Sequence, residues 1–359
     1  MLLFSLGVIG ANVTTHVITR KAFYSVASTQ PYRFHIGASF AGKPVHRSER
    51  RLAEIKFPLG SDIATWKKQQ LEVPGRALTT RDPGQDMFFV QEMSRRRGMA
   101  VGIADGVGGW ADSGINPALF ATALMYYGAR ASEHAIAGGA EADTEEHELS
   151  SSKELSPKDC LWSAFESVIR DDLVQGGSST GLIMTLNAQS GLMKSANLGD
   201  SGFMLIRNGV ASHIQRPQTH YFNCPKQLAK IPPSMRQQGM LEDTPDVADS
   251  WSTTLRHGDM LVLYTDGISD NVYPQEILAI AKLAFREEGT ERQQAQIMAD
   301  STVNHAQQCM YNIDRVSPFE REAAQHRKRW PGGKEDDATV VVVIVSEEVD
   351  NPEGGVPLV

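Results

Sequence analysis

The stretch GIADGVGGWADSG, residues 102–114, contains five glycines and two aspartates in thirteen positions. It follows an apolar run, and residues 106–111 match the dinucleotide-binding fingerprint G-x-G-x-x-[GA]. Alternatively, Asp105 is a metal-binding carboxylate, and the glycines after it let the backbone and a substrate approach the metal closely. The two interpretations predict different folds, and the flanking residues distinguish them.

The flanking residues argue against a dinucleotide-binding fold. Such a fold begins its helix at the glycines, but here Asn116-Pro117, an N-cap followed by proline, begins the next helix several residues later. Asp105 directly precedes the first glycine, where its charge would repel a pyrophosphate. A dinucleotide-binding fold also has a second parallel strand that ends in an acid about 20 residues after the glycine loop, and the sequence predicts no such strand there. That region is predicted to be a helix followed by an acidic, Ser-rich insertion at 138–157, which we expect to be disordered.

The apolar runs on either side of the polar segment near residue 95 predict a β-hairpin. DMFFV at 86–90 and MAVGIAD at 99–105 have the character of strands. Antiparallel pairing centred on this turn places Asp86 opposite Asp105, so that both carboxylates lie at one end of the sheet.

A second set of acids follows the same pattern. Asp266 ends an apolar strand, and Asp336 and Asp337 precede the run ATVVVVIV at 338–345, which predicts a buried strand. If the two strands pair antiparallel, these carboxylates also share one end of a sheet, and Asp200 follows a further strand. Any one such acid is explained as a turn residue, but the repetition favours a metal site. Oxygen ligands without His or Cys suit Mg²⁺ or Mn²⁺.

The charge distribution and the cysteines argue against several classes of protein. The net charge is −8, and residues 1–51 hold seven basic residues against one acid, so the rest of the chain is strongly acidic. An acidic body does not favour nucleic-acid binding. The three cysteines are far apart and form no CxxC pair. We therefore expect a reducing compartment and neither a disulfide framework nor a zinc cluster.

Residues 1–51 have the composition of a mitochondrial transit segment, since they are rich in Arg, Ser and Thr and nearly free of acids. A disordered tail is the alternative. The apolar stretch at 1–11 is shorter than the about 18 residues of a membrane span, so we expect no stable membrane insertion. Residues 52–350 are expected to form the folded domain, with an antiparallel meander at 180–214 and a loop-rich specificity flap at 211–257.

Six motifs, in order along residues 82–345, resemble those of the metal-dependent protein phosphatase 2C family. They are DPGQDMFFV (82–90), GIADGVGGW (102–110), GGSSTGLI (176–183), NLGDSGF (197–203), LYTDGISDN (263–271) and KEDDATVVVV (334–343). HYFNCPKQL at 220–228 is similar to the mitochondrial branch of this family. Any one of these motifs is a weak signal, whereas six in the same order are specific.

The resemblance implies an α+β fold, a four-layer αββα sandwich of two antiparallel sheets flanked by helices, with two Mg²⁺ or Mn²⁺ ions between the sheet ends. Asp105 matches the aspartate that bridges both ions, and Gly106 matches the residue whose carbonyl binds one of them. Asp266 and Asp336 match ligands of the other ion, and Asp337 takes the place of Asp336 if the alignment shifts by one. Asp105 and Asp266 are the expected catalytic residues.

Three more residues are assigned by the resemblance. Asp86 matches an acid that holds metal-bound water, and Asp200 matches a ligand of a weaker third ion. Arg81 is the candidate for binding the substrate phosphate, with a solvated loop charge as the alternative.

Two positions depart from the family pattern. Gln85 stands where many relatives have a metal-binding Glu, which would weaken the second metal. Val107 replaces a His that is often proposed as the general acid. A metal-bound water or a histidine from the 211–257 region would then supply the proton. The candidates are His213, His220 and His257.

Taken with the transit-like N-terminus, the resemblance implies a monomeric protein serine/threonine phosphatase of the mitochondrial matrix. Its partners would be phosphorylated mitochondrial proteins, hydrolysed at phosphoserine and phosphothreonine by direct attack of a metal-bound water. One alternative is a catalytically weak relative that binds phosphoproteins as a regulator, which only Gln85 and Val107 favour. Another is a metal-dependent hydrolase of small phosphoesters.

Overall fold

The computed structural model describes residues 31–45, 50–72, 82–137 and 154–348. The strands are β1 (Tyr32–Ala41), β2 (Asp86–Glu92), β3 (Gly98–Asp105), β4 (Gly177–Ser179), β5 (Gly181–Asn187), β6 (Leu192–Leu198), β7 (Gly202–Arg207), β8 (Val210–Ile214), β9 (Thr219–Tyr221), β10 (Cys224–Pro225), β11 (Leu228–Lys230), β12 (Asp249–Thr254), β13 (Met260–Tyr264) and β14 (Ala338–Glu347). The α-helices are α1 (Arg50–Ala53), α2 (Asp62–Leu71), α3 (Pro117–Glu133), α4 (Pro157–Arg170), α5 (Asp266–Ser269), α6 (Pro274–Ala284), α7 (Glu291–Met310) and α8 (Pro318–Gln325).

Two five-stranded antiparallel sheets form the centre of the molecule. One has the strand order β1-β14-β13-β7-β8, and the other has the order β12-β6-β5-β3-β2. Helices α6 and α7 pack on the first sheet, and α3 and α4 pack on the second. This arrangement confirms the expected four-layer αββα sandwich.

Three buried clusters hold the layers together. Phe88, Leu182 and Val341 belong to the cluster between the two sheets. A second cluster joins the helices α3 and α4 to their sheet, and a third joins α6 and α7 to theirs. The β-branched residues of β14 are buried on both faces of the strand, which is the reason for its uninterrupted apolar sequence.

The expected register of the β2–β3 hairpin is confirmed, because Asp86 pairs directly with Asp105. Strands β13 and β14 pair antiparallel, as expected, with Tyr264 opposite Val340. The expected meander at 180–214 is wrong, since β5 and β6 belong to one sheet while β7 and β8 belong to the other. Each hairpin forms locally, but alternation of side chains along a strand does not determine the sheet to which it belongs.

The expected boundary at residue 51 is also wrong. Strand β1 lies within the first 51 residues and pairs with β14 along its whole length, from Tyr32 opposite Glu347 to Ala41 opposite Ala338. Gly37 lets α7 pack closely on this strand, since a Cβ atom there would lie 2.4 Å from the backbone of Ala295. The folded domain therefore includes β1.

Several expectations concern segments outside the described residues. Arg81 is one of them, and residues 138–153 of the expected acidic insertion are another. Helix α4 begins after Ser156, whose hydroxyl accepts a hydrogen bond from the backbone of Asp159 in a capping box. Within the described ranges, no helix combines the length and the apolar character needed to cross a membrane.

Candidate metal centre

The β2–β3 hairpin presents two of the expected ligands side by side. Asp86 is fully buried and accepts a hydrogen bond of 2.9 Å from the hydroxyl of Thr265. The backbone of Asp105 is fixed by Thr180, whose hydroxyl accepts a hydrogen bond from the Asp105 amide at 3.0 Å. The hairpin ends therefore hold the two carboxylates in place through contacts with both sheets.

A second group of carboxylates gathers around Lys334. Asp266 follows β13 at the start of the short helix α5, and Asp336 precedes β14. The Lys334 ammonium lies 2.6 Å from Asp266 Oδ2, 2.7 Å from Asp270 Oδ2 and 3.2 Å from Asp336 Oδ2. The antiparallel pairing of β13 with β14 thus brings their acids to one end of the sheet, as the sequence predicts.

Asp337 braces the loops around the centre. Its Oδ1 accepts a hydrogen bond of 2.7 Å from the backbone of Lys43, and its Oδ2 accepts one of 2.9 Å from the backbone of Gln85. Gly84 has a φ of 70°, and a Cβ atom there would lie 1.9 Å from Asp337 Oδ1, so only glycine fits. Asp336, by contrast, points into the cluster and accepts from the Lys43 ammonium at 2.7 Å. The two neighbouring aspartates thus differ in their partners, since Asp337 accepts from backbone amides and Asp336 accepts from the ammonium groups of Lys43 and Lys334.

The electrostatics of the cluster show an excess of negative charge. Burial, together with the charges of neighbouring aspartates, raises the pKa of Asp86, Asp105 and Asp200 well above the usual value. For Asp105 these neighbours are Asp266, Asp86, Asp336 and Asp200, which places it at the centre of the group.

The lysines offset only part of this charge. Burial alone would raise the pKa of Asp266, but its ion pair with Lys334 makes the net shift downward. The pKa of Asp270 is raised to about 7 and that of Asp337 to about 6, in each case chiefly by burial. Unneutralised carboxylates of this kind are costly to bury unless a cation compensates them.

The residues present fit divalent cations. One oxygen each of Asp86, Asp200 and Asp266 (Oδ1 in every case) is buried and has no hydrogen-bond partner in the structure. In the described part of the chain, no three acidic, His or Cys side chains surround a common point at ligand distance. Instead, the ammonium groups of Lys43 and Lys334 lie among the carboxylates.

The structure brings the expected aspartates 86, 105, 200, 266 and 336 into one cluster. Gly106 lies at its edge, where its amide donates to the carbonyl of Gln85 at 3.1 Å. The amide of Val107 donates to the carbonyl of Ser178, so this residue is anchored in the loop.

Sequence reasoning missed Asp270, Lys43 and Lys334 as members of the cluster. Asp270 lies in the motif LYTDGISDN, four residues after Asp266, which is one helical turn. Lys334 begins the motif KEDDATVVVV, two residues before Asp336. Both residues were therefore detectable from their nearness in sequence to a predicted ligand. Lys43 has no local signal, because its contact with Asp336 joins residues 293 positions apart.

The three histidines differ in their surroundings. His213 stacks on Trp251 with ring centroids 3.9 Å apart, and burial lowers its pKa. His257 accepts a hydrogen bond from the backbone of Glu347, at the end of the sheet opposite the cluster. His220 lies 2.8 Å from Asp243 within the flap and is exposed. The contact that each histidine makes lies outside the aspartate cluster.

The known proteins that this chain resembles in sequence and in fold are described as phosphatases. The chain is 34% identical over 267 residues to "Protein phosphatase PTC7 homolog" of Danio rerio, covering 74% of this chain and 83% of the relative. It is also 34% identical to the protein of the same name from Homo sapiens, covering 74% and 81% of the two chains. The X-ray structure of the photosystem II phosphatase PBCP has a similar fold, with a TM-score of 0.59 at 24% identity over 87% of this chain and 98% of that one. No protein-family model matches the chain.

Proposed function

The chain belongs to the PTC7 family of protein phosphatases, and on this premise we propose that its acidic cluster hydrolyses phosphoserine and phosphothreonine in proteins with bound Mg²⁺ or Mn²⁺. The observation that carries the proposal is the set of buried aspartate oxygens without hydrogen-bond partners at the ends of both sheets. We propose two ions, with a weaker third at Asp200. When bound, such ions would supply positive charge to the phosphate and acidify a water molecule for attack on phosphorus.

The residues of the chain have distinct proposed roles. Asp105, whose charge interacts with those of four other aspartates, would help to hold both ions, and the carbonyl of Gly106 would help to hold one of them. Asp266 and Asp336 would hold one ion, and Asp86 would orient water beside it.

Other residues hold these ligands in place or bind the phosphate. Asp337 fixes Lys43 and Gln85 through their backbones. Lys43 and Lys334 hold the carboxylates of Asp336 and Asp266 by ion pairs. Arg81 remains our proposed ligand of the substrate phosphate.

Val107 carries no proton, so protonation of the leaving oxygen requires another group. We propose that a water molecule or His220 of the flap supplies it. His220 hydrogen-bonds Asp243 in the flap, whereas His213 is stacked on Trp251 and His257 lies at the end of the sheet opposite the cluster. A positioned acid is worth roughly 10²–10⁴-fold in rate for a poor leaving group such as a serine alkoxide.

The proposed location is the mitochondrial matrix, and the proposed substrates are phosphorylated mitochondrial proteins, hydrolysed by a monomer. The support is the N-terminal composition: the first 31 residues, which precede β1, contain no acid, two basic residues and seven Ser or Thr. This composition is typical of transit segments. Import of a fusion of these residues with a reporter protein would test the location.

A phosphoprotein-binding regulator with little activity is the second candidate, favoured by Gln85 and Val107. The full-length chain distinguishes the two when it is given a phosphothreonine peptide in Mn²⁺, then in EDTA, then in Mn²⁺ with okadaic acid. We expect release of phosphate that EDTA abolishes and okadaic acid leaves intact. Binding of the peptide without turnover would support the regulator, and turnover in EDTA would overturn the metal-dependent mechanism.

A further inference from the structure

A cavity of about 910 Å³ lies beside the metal centre, between α1, α2 and the start of α3. We call it the α2 cavity. Its volume is near the upper end of the range for binding sites in proteins, roughly 300–1,000 Å³. It is large enough for several side chains of a bound segment.

The walls of the α2 cavity are mainly apolar. The large apolar side chains that line it are Val45, Leu52, Ile55, Phe57, Leu59, Leu71 and Leu119. Phe57 is almost fully buried, whereas Ile55 is 47% exposed, so the lining continues from the protein core to the solvent. Such a surface favours the burial of a bulky apolar side chain from outside.

Two lysines add a positive region to this lining. Lys56 and Lys67 both face the cavity, and their charges are close enough to interact. Lys43 and Lys68, which also line it, form ion pairs with Asp336 and Glu72. Among the described residues, neither Lys56 nor Lys67 has an ion-pair partner, although the charge of Asp82 partly offsets that of Lys67.

Burial lowers the pKa of the Lys67 ammonium, because the group has lost water without gaining a close counter-ion. An acidic side chain placed in the cavity would supply that counter-ion. The part of the lining around Lys56 and Lys67 is therefore complementary in charge to an anion.

The cavity adjoins the loops that brace the metal centre. Lys43, Gln85 and Asp337 form one end of its lining, and the same residues brace the metal-site loops. An occupant of the cavity therefore lies next to the position proposed for the phosphorylated residue. This proximity favours a part of the substrate over an unrelated ligand.

We propose that the α2 cavity docks a segment of the phosphoprotein substrate that carries a bulky apolar residue and an acidic residue close to the phosphorylated side chain. The apolar residue packs on Leu52 and Leu119, and the acidic residue pairs with Lys56 and Lys67. This inference rests on the proposed phosphatase function and specifies its substrate class. Binding energy from such a remote contact raises kcat/KM.

Matched phosphothreonine peptides test the proposal on the full chain with Mn²⁺. One peptide carries Leu and Glu beside the phosphothreonine, a second carries Leu and Lys, and a third carries Ser and Glu. Each is made with these residues on the N-terminal and on the C-terminal side. For one of the two sides we expect kcat/KM to fall about fivefold or more when either Leu or Glu is replaced.

A charge reversal provides the decisive comparison. In Lys67→Glu the ratio of kcat/KM for the Glu peptide to that for the Lys peptide is expected to invert. Lys282→Glu, on the exposed face of α6, is the matched control and is expected to keep the wild-type ratio. Ala53→Trp, which narrows the cavity at an exposed position of its lining, is expected to remove the preference for Leu over Ser.

The outcomes separate the two levels of the account. If the wild-type chain hydrolyses no peptide, the proposed function fails. If it hydrolyses all peptides equally well, the function stands and the docking proposal is overturned. In that case dodecanoate identifies a different occupant. If it raises the Tm of the wild type but not that of Lys67→Glu, the cavity binds a small amphipathic anion and not a substrate segment.

Discussion

Asp86 and Asp105 are the terminal pair of the β2–β3 hairpin, directly opposite each other at one end of the sheet. Two carboxylates at such a position repel each other, and burial raises the pKa of both. This unfavourable pair is held in place by hydrogen bonds. Thr180 accepts one from the backbone amide of Asp105, and Thr265 donates one to the side chain of Asp86. Destabilising charge held in a rigid frame is typical of a functional site.

Asp105→Asn is expected to remove turnover while the fold stays intact. Loss of the bridging charge costs several kcal/mol of transition-state stabilisation, on the order of a thousandfold in rate. The same change relieves repulsion in the metal-free protein, so its Tm in EDTA should rise. Phosphopeptide kinetics and calorimetry in EDTA measure the two effects. Near-normal turnover in the folded variant would rule out the proposed role of Asp105.

Truncation at the N-terminus should separate a dispensable segment from the fold. Removal of residues 1–45 deletes β1, the paired neighbour of β14, and with it the buried Phe40 and the ion pair of Lys43 with Asp336. We expect this protein to be unfolded or insoluble. Removal of residues 1–30 leaves β1 in place, and we expect a folded, active enzyme. Circular dichroism and phosphate release on both proteins provide the check, and a folded 46–359 chain would contradict the assignment of β1 to the domain.

Features of the site that depend on a single hairpin or strand are predictable from the sequence. The polar turn between β2 and β3 fixed the register that brings Asp86 to Asp105, and the buried run of β14 located Asp336. Such patterns lie within one hairpin or strand, so the sequence carries them directly.

The failures concern contacts between distant parts of the chain. Strand β1 has the basic, Ser-containing neighbourhood of a targeting segment, and only its pairing with β14, about 300 residues later, reveals its role. The crossing between sheets after β6 and the contact of Lys43 with Asp336 are of the same kind. These contacts are determined by tertiary packing, so no local sequence pattern predicts them.

The metal-free protein is expected to lose stability as the pH rises from about 4 to about 7. The pKa of Asp270 is raised to about 7 and that of Asp337 to about 6, both above the usual value for an aspartate. Between the unfolded and folded pKa values the native state binds more protons, so stability falls as pH rises through this window. The lowered pKa of Asp266 acts with the opposite sign, but only at lower pH.

Scanning calorimetry in EDTA across this pH range tests the sign. Asp270→Asn should flatten the dependence of Tm on pH, whereas Asp314→Asn, at an exposed position, should leave it as in the wild type. A Tm that rises steadily with pH in the wild type would show that the acids of the cluster do not carry unneutralised charge.

The ion pair of Arg207 with Asp259 should contribute to stability and not to chemistry. Arg207 donates two hydrogen bonds to Asp259, which is 1% exposed, near the end of the sheet opposite the metal centre. Arg207→Met leaves a buried carboxylate without its partner, and we expect a loss of about 3 kcal/mol in the free energy of unfolding. Arg33→Met breaks the exposed pair with Glu348 and should cost less than about 1 kcal/mol. Urea unfolding of both variants measures these losses. Equal losses of unfolding free energy would show that the buried ion pair contributes no more than the exposed one.

The central claim, that the aspartate cluster binds the ions that support phosphatase activity, is tested most directly by titrating EDTA-stripped protein with Mn²⁺. Bound Mn²⁺ is measured by equilibrium dialysis, and phosphate release from a phosphothreonine peptide is measured on the same samples. The account predicts about two tightly bound ions per chain, activity that rises in parallel with occupancy, and weakened binding in Asp105→Asn. No tight binding by the wild type, or equal binding by the wild type and Asp105→Asn, would contradict it.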